Sequence, residues 1–134
     1  MNKQLVKAIS LQFFFILIFT NNVFASSSYV LPYPGIMPGN KLYKLLEIKE
    51  TFNKYWYFGD FAQFSYSLKL SDKYLVEAKT LFDYKQYLLG SISLSKSDKY
   101  FKNINKHLIS AKKRGKDISG KNQILKEATL KHIE

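Results

Sequence analysis

"FAQFSYSLKLSDKYLVEAKTLFDYKQYLLGSISLSKSDKYFKNINKHLISA", Phe61 to Ala111, decides the fold. Its first half sets Phe61, Phe64, Leu68, Ser71, Leu75, Ala78 and Phe82 at alternating spacings of three and four. Its second half sets Tyr87, Gly90, Leu94, Ser97, Phe101, Ile104, Leu108 and Ala111 in the same way. An α-helix turns once in about 3.6 residues, so each row forms one continuous face. The connection around Asp83 is short, which predicts an antiparallel helical hairpin. One segment pulls the other way. "SISLSKS", Ser91 to Ser97, alternates polar and apolar as a strand would. The helical face continues on both sides of it, and a lone strand would have no partner. Folding back at Asp83 sets Ser71 opposite Ser95–Ser97 and Ala78 opposite Leu88–Gly90. Small residues then meet at two levels, and the two backbones should approach closely there.

Two further helices flank the hairpin, so the expected fold class is all-α, a small bundle of three to four helices. The expected helices cover about 41–57, 61–82, 84–114 and 120–133. Asn40 is the expected N-cap of the first, since its side chain can accept from a free N–H of the first turn. Leu42, Leu45, Phe52 and Trp56 form that helix's apolar stripe, broken by Lys49. Gly59 suits the turn that follows. Asp60 with Gln63, and Asp83 with Gln86, read as variant capping boxes for the second and third helices. Gly115 is the expected stop of the third, with Lys112, Lys113 and Arg114 placed favourably against the helix dipole. Ser119 caps the fourth, whose weaker apolar side is Ile124, Leu125, Ala128 and Ile133.

The region before the helices divides in two. Residues 1–25 read as a secretory signal peptide: Lys3 and Lys7, an apolar core from Leu11 to Phe19, then Val23 and Ala25 at a small-residue cleavage site. Cleavage near Ala25 and export are expected, into the periplasmic or envelope space or the medium. The alternative is an N-terminal membrane anchor, for which the apolar stretch is short against the roughly 20 residues a spanning helix needs. Residues 26–39 read as an extended proline-rich arm, because Pro32, Pro34 and Pro38 are all three prolines of the chain. Tyr29, Leu31, Tyr33, Ile36 and Met37 make it too apolar for a flexible linker, so it is expected to pack on the helices near Trp56 and Tyr57. The chain has no Cys, which excludes disulfides and a lipidated cysteine.

Little in the sequence carries chemistry. His107 and His132 lie on different segments, and no metalloprotease, phosphate-loop or serine-hydrolase motif occurs. No enzyme activity and no cofactor are expected. Glu47 and Glu50 share a helix face, with Glu50 expected to pair with Lys54. The charge is informative only in its distribution. The chain carries +11, and all but Arg114 of its 21 basic side chains are Lys. Residues 96–134 hold most of the excess, and Lys112, Lys113, Arg114 and Lys116 are its densest patch. Such a patch suits a polyanion: an anionic wall polymer or lipid surface, with nucleic acid disfavoured. "KYWYFGDF" packs Tyr55, Trp56, Tyr57, Phe58 and Phe61 around one turn. They cannot all face inward, so part of this group covers the arm or forms an exposed binding patch, and cover is the preferred reading. Tyr33, Trp56 and Tyr57 are the candidate interaction surface, with an envelope protein as the expected partner.

"LPYPGIMPGNKLYKL" and the hairpin sequence together resemble a group of bacterial exported helical proteins, the domain of unknown function 5667 family. Leu31, Pro32, Tyr33, Pro34, Gly35, Pro38, Leu42, Tyr43 and Leu45 carry the first part of the resemblance. Leu75, Glu77, Ala78 and Leu81 carry the second, Tyr87 and Leu88 the third, and "LKEATLKHIE" is similar to the family's downstream helix. The chain departs at Ser71 and Gly90, and in a surface of Lys and Ser where members are acidic and Arg-rich. The resemblance implies export and an all-helical fold. It implies no activity, so no functional residue is carried over.

Overall fold

The computed structural model describes residues 29–133. The expected signal segment and residues 26–28 lie outside the described residues. Four helices make up the described chain: α1 (Tyr43–Trp56), α2 (Asp60–Asp83), α3 (Tyr87–Lys113) and α4 (Ser119–Ile133). No strand occurs among them, and "SISLSKS" is helical throughout. The architecture is all-α, as the sequence predicts.

The long helices α2 and α3 are the one closely packed pair among the described residues. Their contact is built on serines. Ser71 Oγ donates to the Ser97 carbonyl at 3.0 Å, and Ser97 Oγ donates to the Ser71 carbonyl at 2.8 Å. Both residues are 0 % exposed. Hydroxyls so short can satisfy themselves on the facing backbone only when the helices nearly touch, so the expected close approach is present at this level. At the other expected level Gly90 faces a large side chain rather than a small one. A Cβ added there would lie 2.7 Å from the Phe82 ring, so the aromatic side chain occupies the space that glycine leaves. Below the serines, Phe64 and Leu68 of α2 meet Ile104 and Leu108 of α3 and Ala128 of α4 in the main apolar core.

α2 is buried on three sides, more than one stripe accounts for. Tyr66, Leu70, Tyr74, Glu77 and Leu81 are buried beside the expected Phe64, Leu68, Ser71 and Ala78. α1 and α4 flank it, α1 on the Tyr66, Tyr74 and Glu77 side and α4 on the Phe64, Leu68 and Asp72 side.

The helix ends differ from expectation in instructive ways. α1 begins at Tyr43 rather than 41, because Asn40 caps a preceding turn: its Oδ1 accepts from Leu42 N–H at 2.9 Å and its carbonyl from Tyr43 N–H at 3.0 Å. Neither expected capping box forms. Gly59, at φ 88, precedes α2, and Asp60 is its first residue. Gln63 turns the other way and donates to the carbonyls of Lys54 and Tyr57, closing the C-terminal end of α1. Asp83 ends α2 instead of starting α3.

The hairpin turn is a Schellman closure. Lys85 N–H donates to the Phe82 carbonyl and Gln86 N–H to that of Leu81, at 2.9 and 2.8 Å. It needs a left-handed residue, and Lys85 stands there at φ 61. α3 ends in the same way on Gly115 at φ 72, as the sequence predicts. A Cβ in that region costs about 1 kcal/mol. Lys85→Gly should therefore stabilise the protein by about 0.5 kcal/mol after glycine's extra unfolded-state entropy. A rise of a few degrees in Tm is expected, and an unchanged or lower Tm contradicts the strain.

Candidate functional site

The apolar stripe of α1 faces away from the hairpin, and this is the main departure from the sequence reading. Leu42, Leu45, Ile48, Phe52, Tyr55 and Trp56 are all exposed, Trp56 by 82 %. At 3.6 residues per turn, residues 45, 48, 52, 55 and 56 fall within an arc of roughly 100°. The face turned inward carries Tyr43, Glu47 and Glu50 instead.

The physical reason lies on α2. Its flank toward α1 presents Tyr66, Lys73, Tyr74 and Glu77, and Glu77 is fully buried. An unpaired buried charge is far costlier than exposed leucines. α1 supplies the missing partners. Tyr43 donates to Glu77 at 2.8 Å. Glu50 takes Lys73 at 2.5 Å and the Tyr74 hydroxyl at 2.7 Å, while its carbonyl accepts from Tyr66 at 2.5 Å. Glu47 pairs with Lys96 of α3. Lys73 also lies 3.2 Å from Glu77 and stands over the rings of Tyr43 and Tyr74. The expected Glu50–Lys54 pair does not form, because Glu50 is spent on α2.

Burial shapes the titration of this layer. Desolvation raises the Glu77 carboxyl above the ordinary glutamate range, against the lowering pull of Lys73 and the Tyr43 hydroxyl. Desolvation and the neighbouring carboxylates likewise raise Tyr43 and Tyr74 well above their usual value, and Tyr66 to about 12. A carboxyl raised in the folded state binds its proton more tightly folded than unfolded. Its contribution to stability therefore falls as pH rises from about 4.3 through the raised value. Glu77→Gln should remove this term. The stability of wild type relative to Glu77→Gln is expected to decline between about pH 4 and neutrality, in urea unfolding at each pH. A constant difference contradicts the raised carboxyl.

The aromatic turn does not cover the arm. Trp56 and Phe58 are each 82 % exposed, and Tyr33 is 94 % exposed. Of the expected surface, Tyr33 and Trp56 are open and Tyr57 is not: its ring stacks on Tyr66 at 4.5 Å between centroids. The described chain before α1 instead meets α2 and α4. Tyr29 donates to Asp72 Oδ2, whose other oxygen is 2.8 Å from His132 Nε2, and His132 stacks on Phe101. His132 is thus a packed histidine. A groove of about 910 Å³ lies beside this cluster, lined by Leu31, Leu75, Val76, Phe82 and Leu94.

The expected polyanion patch is divided. Lys112 and Lys113 are exposed. Arg114 and Lys116 approach the buried Asp60 carboxylate at 3.3 and 3.6 Å, and Lys116 also stands over Phe61. Burial pushes Asp60 up, but the Ser110 hydroxyl, Arg114 and Lys116 hold its carboxyl below the usual range. Half of the patch therefore anchors the start of α2.

Sequence reasoning missed Leu45, Ile48 and Phe52 as surface residues, since an apolar stripe ordinarily points inward. The available signal was that Lys44 and Lys49 flank the stripe while both glutamates, with Lys54, lie opposite it. No family model, curated protein or solved structure matches the chain.

Proposed function

We propose that the chain is an exported, non-enzymatic binding module of the cell envelope, and that its interface is the outward face of α1. One observation carries this reading: the helix spends its polar residues on the hairpin and offers Leu45, Ile48, Phe52 and Trp56 to the outside. Contiguous exposed apolar surface of this kind marks an interaction site. Export rests on the N-terminal sequence, and the likeness to the domain of unknown function 5667 family agrees with it. Among the described residues no helix is long and apolar enough to cross a membrane. Both an envelope protein and a lipid surface can meet such a face. The rival, polyanion binding through Lys112, Lys113, Arg114 and Lys116, is weakened by the commitment of Arg114 and Lys116 to Asp60.

Affinity capture of the tagged chain from envelope extract, at low and physiological salt, tests the reading. Leu45→Glu/Phe52→Glu should abolish retention of envelope components at both salts with melting unchanged, since exposed sites shift stability by only about 0.5 kcal/mol. Retention that survives this variant, but is lost in Lys112→Gln/Lys113→Gln and at physiological salt, contradicts it in favour of the basic patch.

A further inference from the structure

We infer that the partner of the α1 face is an anionic lipid bilayer, on which α1 lies flat with its apolar stripe in the headgroup boundary. This rests on the reading of that face as the interface, and it names the occupant. The charge around the stripe decides the matter. Lys41, Lys44 and Lys49 are exposed beside the stripe, whereas Lys54 lies on the opposite side of α1. The two acidic residues of the helix are turned under it, Glu47 onto Lys96 and Glu50 onto Lys73. The outer surface of α1 is therefore apolar and basic, with Glu50 neutralised inside the fold and the half-exposed Glu47 paired with Lys96 at its edge. A helix with leucine and aromatics on one side, lysines along its flanks and low overall hydrophobicity has the composition of an interfacial helix.

The same distribution disfavours a second copy. Two α1 faces packed together would bring Lys44 and Lys49 of each against the other's with no outward carboxylate between them. The shape favours lipid over a protein partner. The stripe is the convex ridge of one helix rather than a groove, and Phe52, Tyr55, Trp56 and Phe58 gather at one end of it, all exposed. Such rings suit the boundary between headgroups and hydrocarbon. Lysine side chains can reach the phosphates while their stems lie along the apolar surface.

Trp56 is the one tryptophan in the chain, so its fluorescence reports on α1 alone. This matters because the apolar stretch Leu11–Phe19 can carry the full-length chain to any bilayer. The full chain is titrated with vesicles containing phosphatidylglycerol and, separately, with pure phosphatidylcholine. With phosphatidylglycerol the Trp56 emission should shift to the blue and be quenched by brominated acyl chains. With phosphatidylcholine alone it should stay water-like. Lys44→Gln and Lys49→Gln should each weaken the phosphatidylglycerol titration roughly fivefold. Leu45→Glu/Phe52→Glu should abolish the shift. A Trp56 that stays water-like on phosphatidylglycerol vesicles, or shifts equally on both kinds, overturns the inference. A shift that follows protein concentration without lipid gives the face to a second copy and also overturns it. In either case the broader reading stands if the double-glutamate variant loses a protein captured from lipid-free extract, and falls if it does not.

Discussion

Lys73→Met is expected to destabilise the protein by about 3 kcal/mol, enough to threaten folding in a domain with 5–15 kcal/mol in hand. Lys73 stands between Glu50 and Glu77, at 2.5 and 3.2 Å. Methionine keeps the stem and removes the charge, so two carboxylates are left in the layer beneath α1. Breaking a buried pair from one side costs about 3–5 kcal/mol, and the lower end applies because the Lys73 side chain keeps 20 % of its exposure. Two further measurements separate this cause from lost packing. Lys73→Met/Glu77→Gln should recover about half of the loss, since the fully buried carboxylate is then gone. Lys73→Met alone should also regain stability as pH falls, because Glu77 is already raised by burial and then lacks its cation. A loss below about 1 kcal/mol, with no recovery in the double variant, would show that α1 does not dock through these charges.

Ser71→Leu is expected to cost about 3–4 kcal/mol, from overpacking at the closest approach of α2 and α3 plus the broken hydrogen bonds to Ser97. Ser71→Ala should cost only about 1 kcal/mol, because it removes the hydroxyl and leaves the spacing intact. The contrast between the two is the diagnostic. If both cost the same small amount in chemical unfolding, the helices are not in contact at this level. The bond from Ser97 Oγ to the Ser71 carbonyl survives alanine but not leucine, which forces the backbones apart.

The hairpin was legible because its information is local and periodic. Ser71 and Ser97 fall opposite each other by counting back from the turn at Asp83, and the structure joins them directly. The orientation of α1 was not legible, for the opposite reason. What fixes it are partners far along the chain: Tyr43 with Glu77, Glu50 with Lys73, Glu47 with Lys96. An apolar stripe is scored without asking whether the neighbouring surface is apolar, and the flank of α2 that receives α1 is charged and aromatic. The same limit explains Asp60 and Gln63. Both have the residue types of a capping box, but Asp60 is drawn into an ion cluster by Arg114 and Lys116, and Gln63 is drawn to the end of α1. Tyr33 and Trp56 are both exposed, against the preferred reading of the sequence, in which the aromatic turn covers the arm.

The orientation of α1 is the central claim, since both the binding face and its buried charge layer depend on it. Trp56 tests it directly. In dilute, lipid-free buffer the full chain should show the red emission of a water-exposed indole, quenched by acrylamide nearly as readily as a free tryptophan derivative. A blue-shifted emission protected from acrylamide would place the stripe against the hairpin and contradict the account.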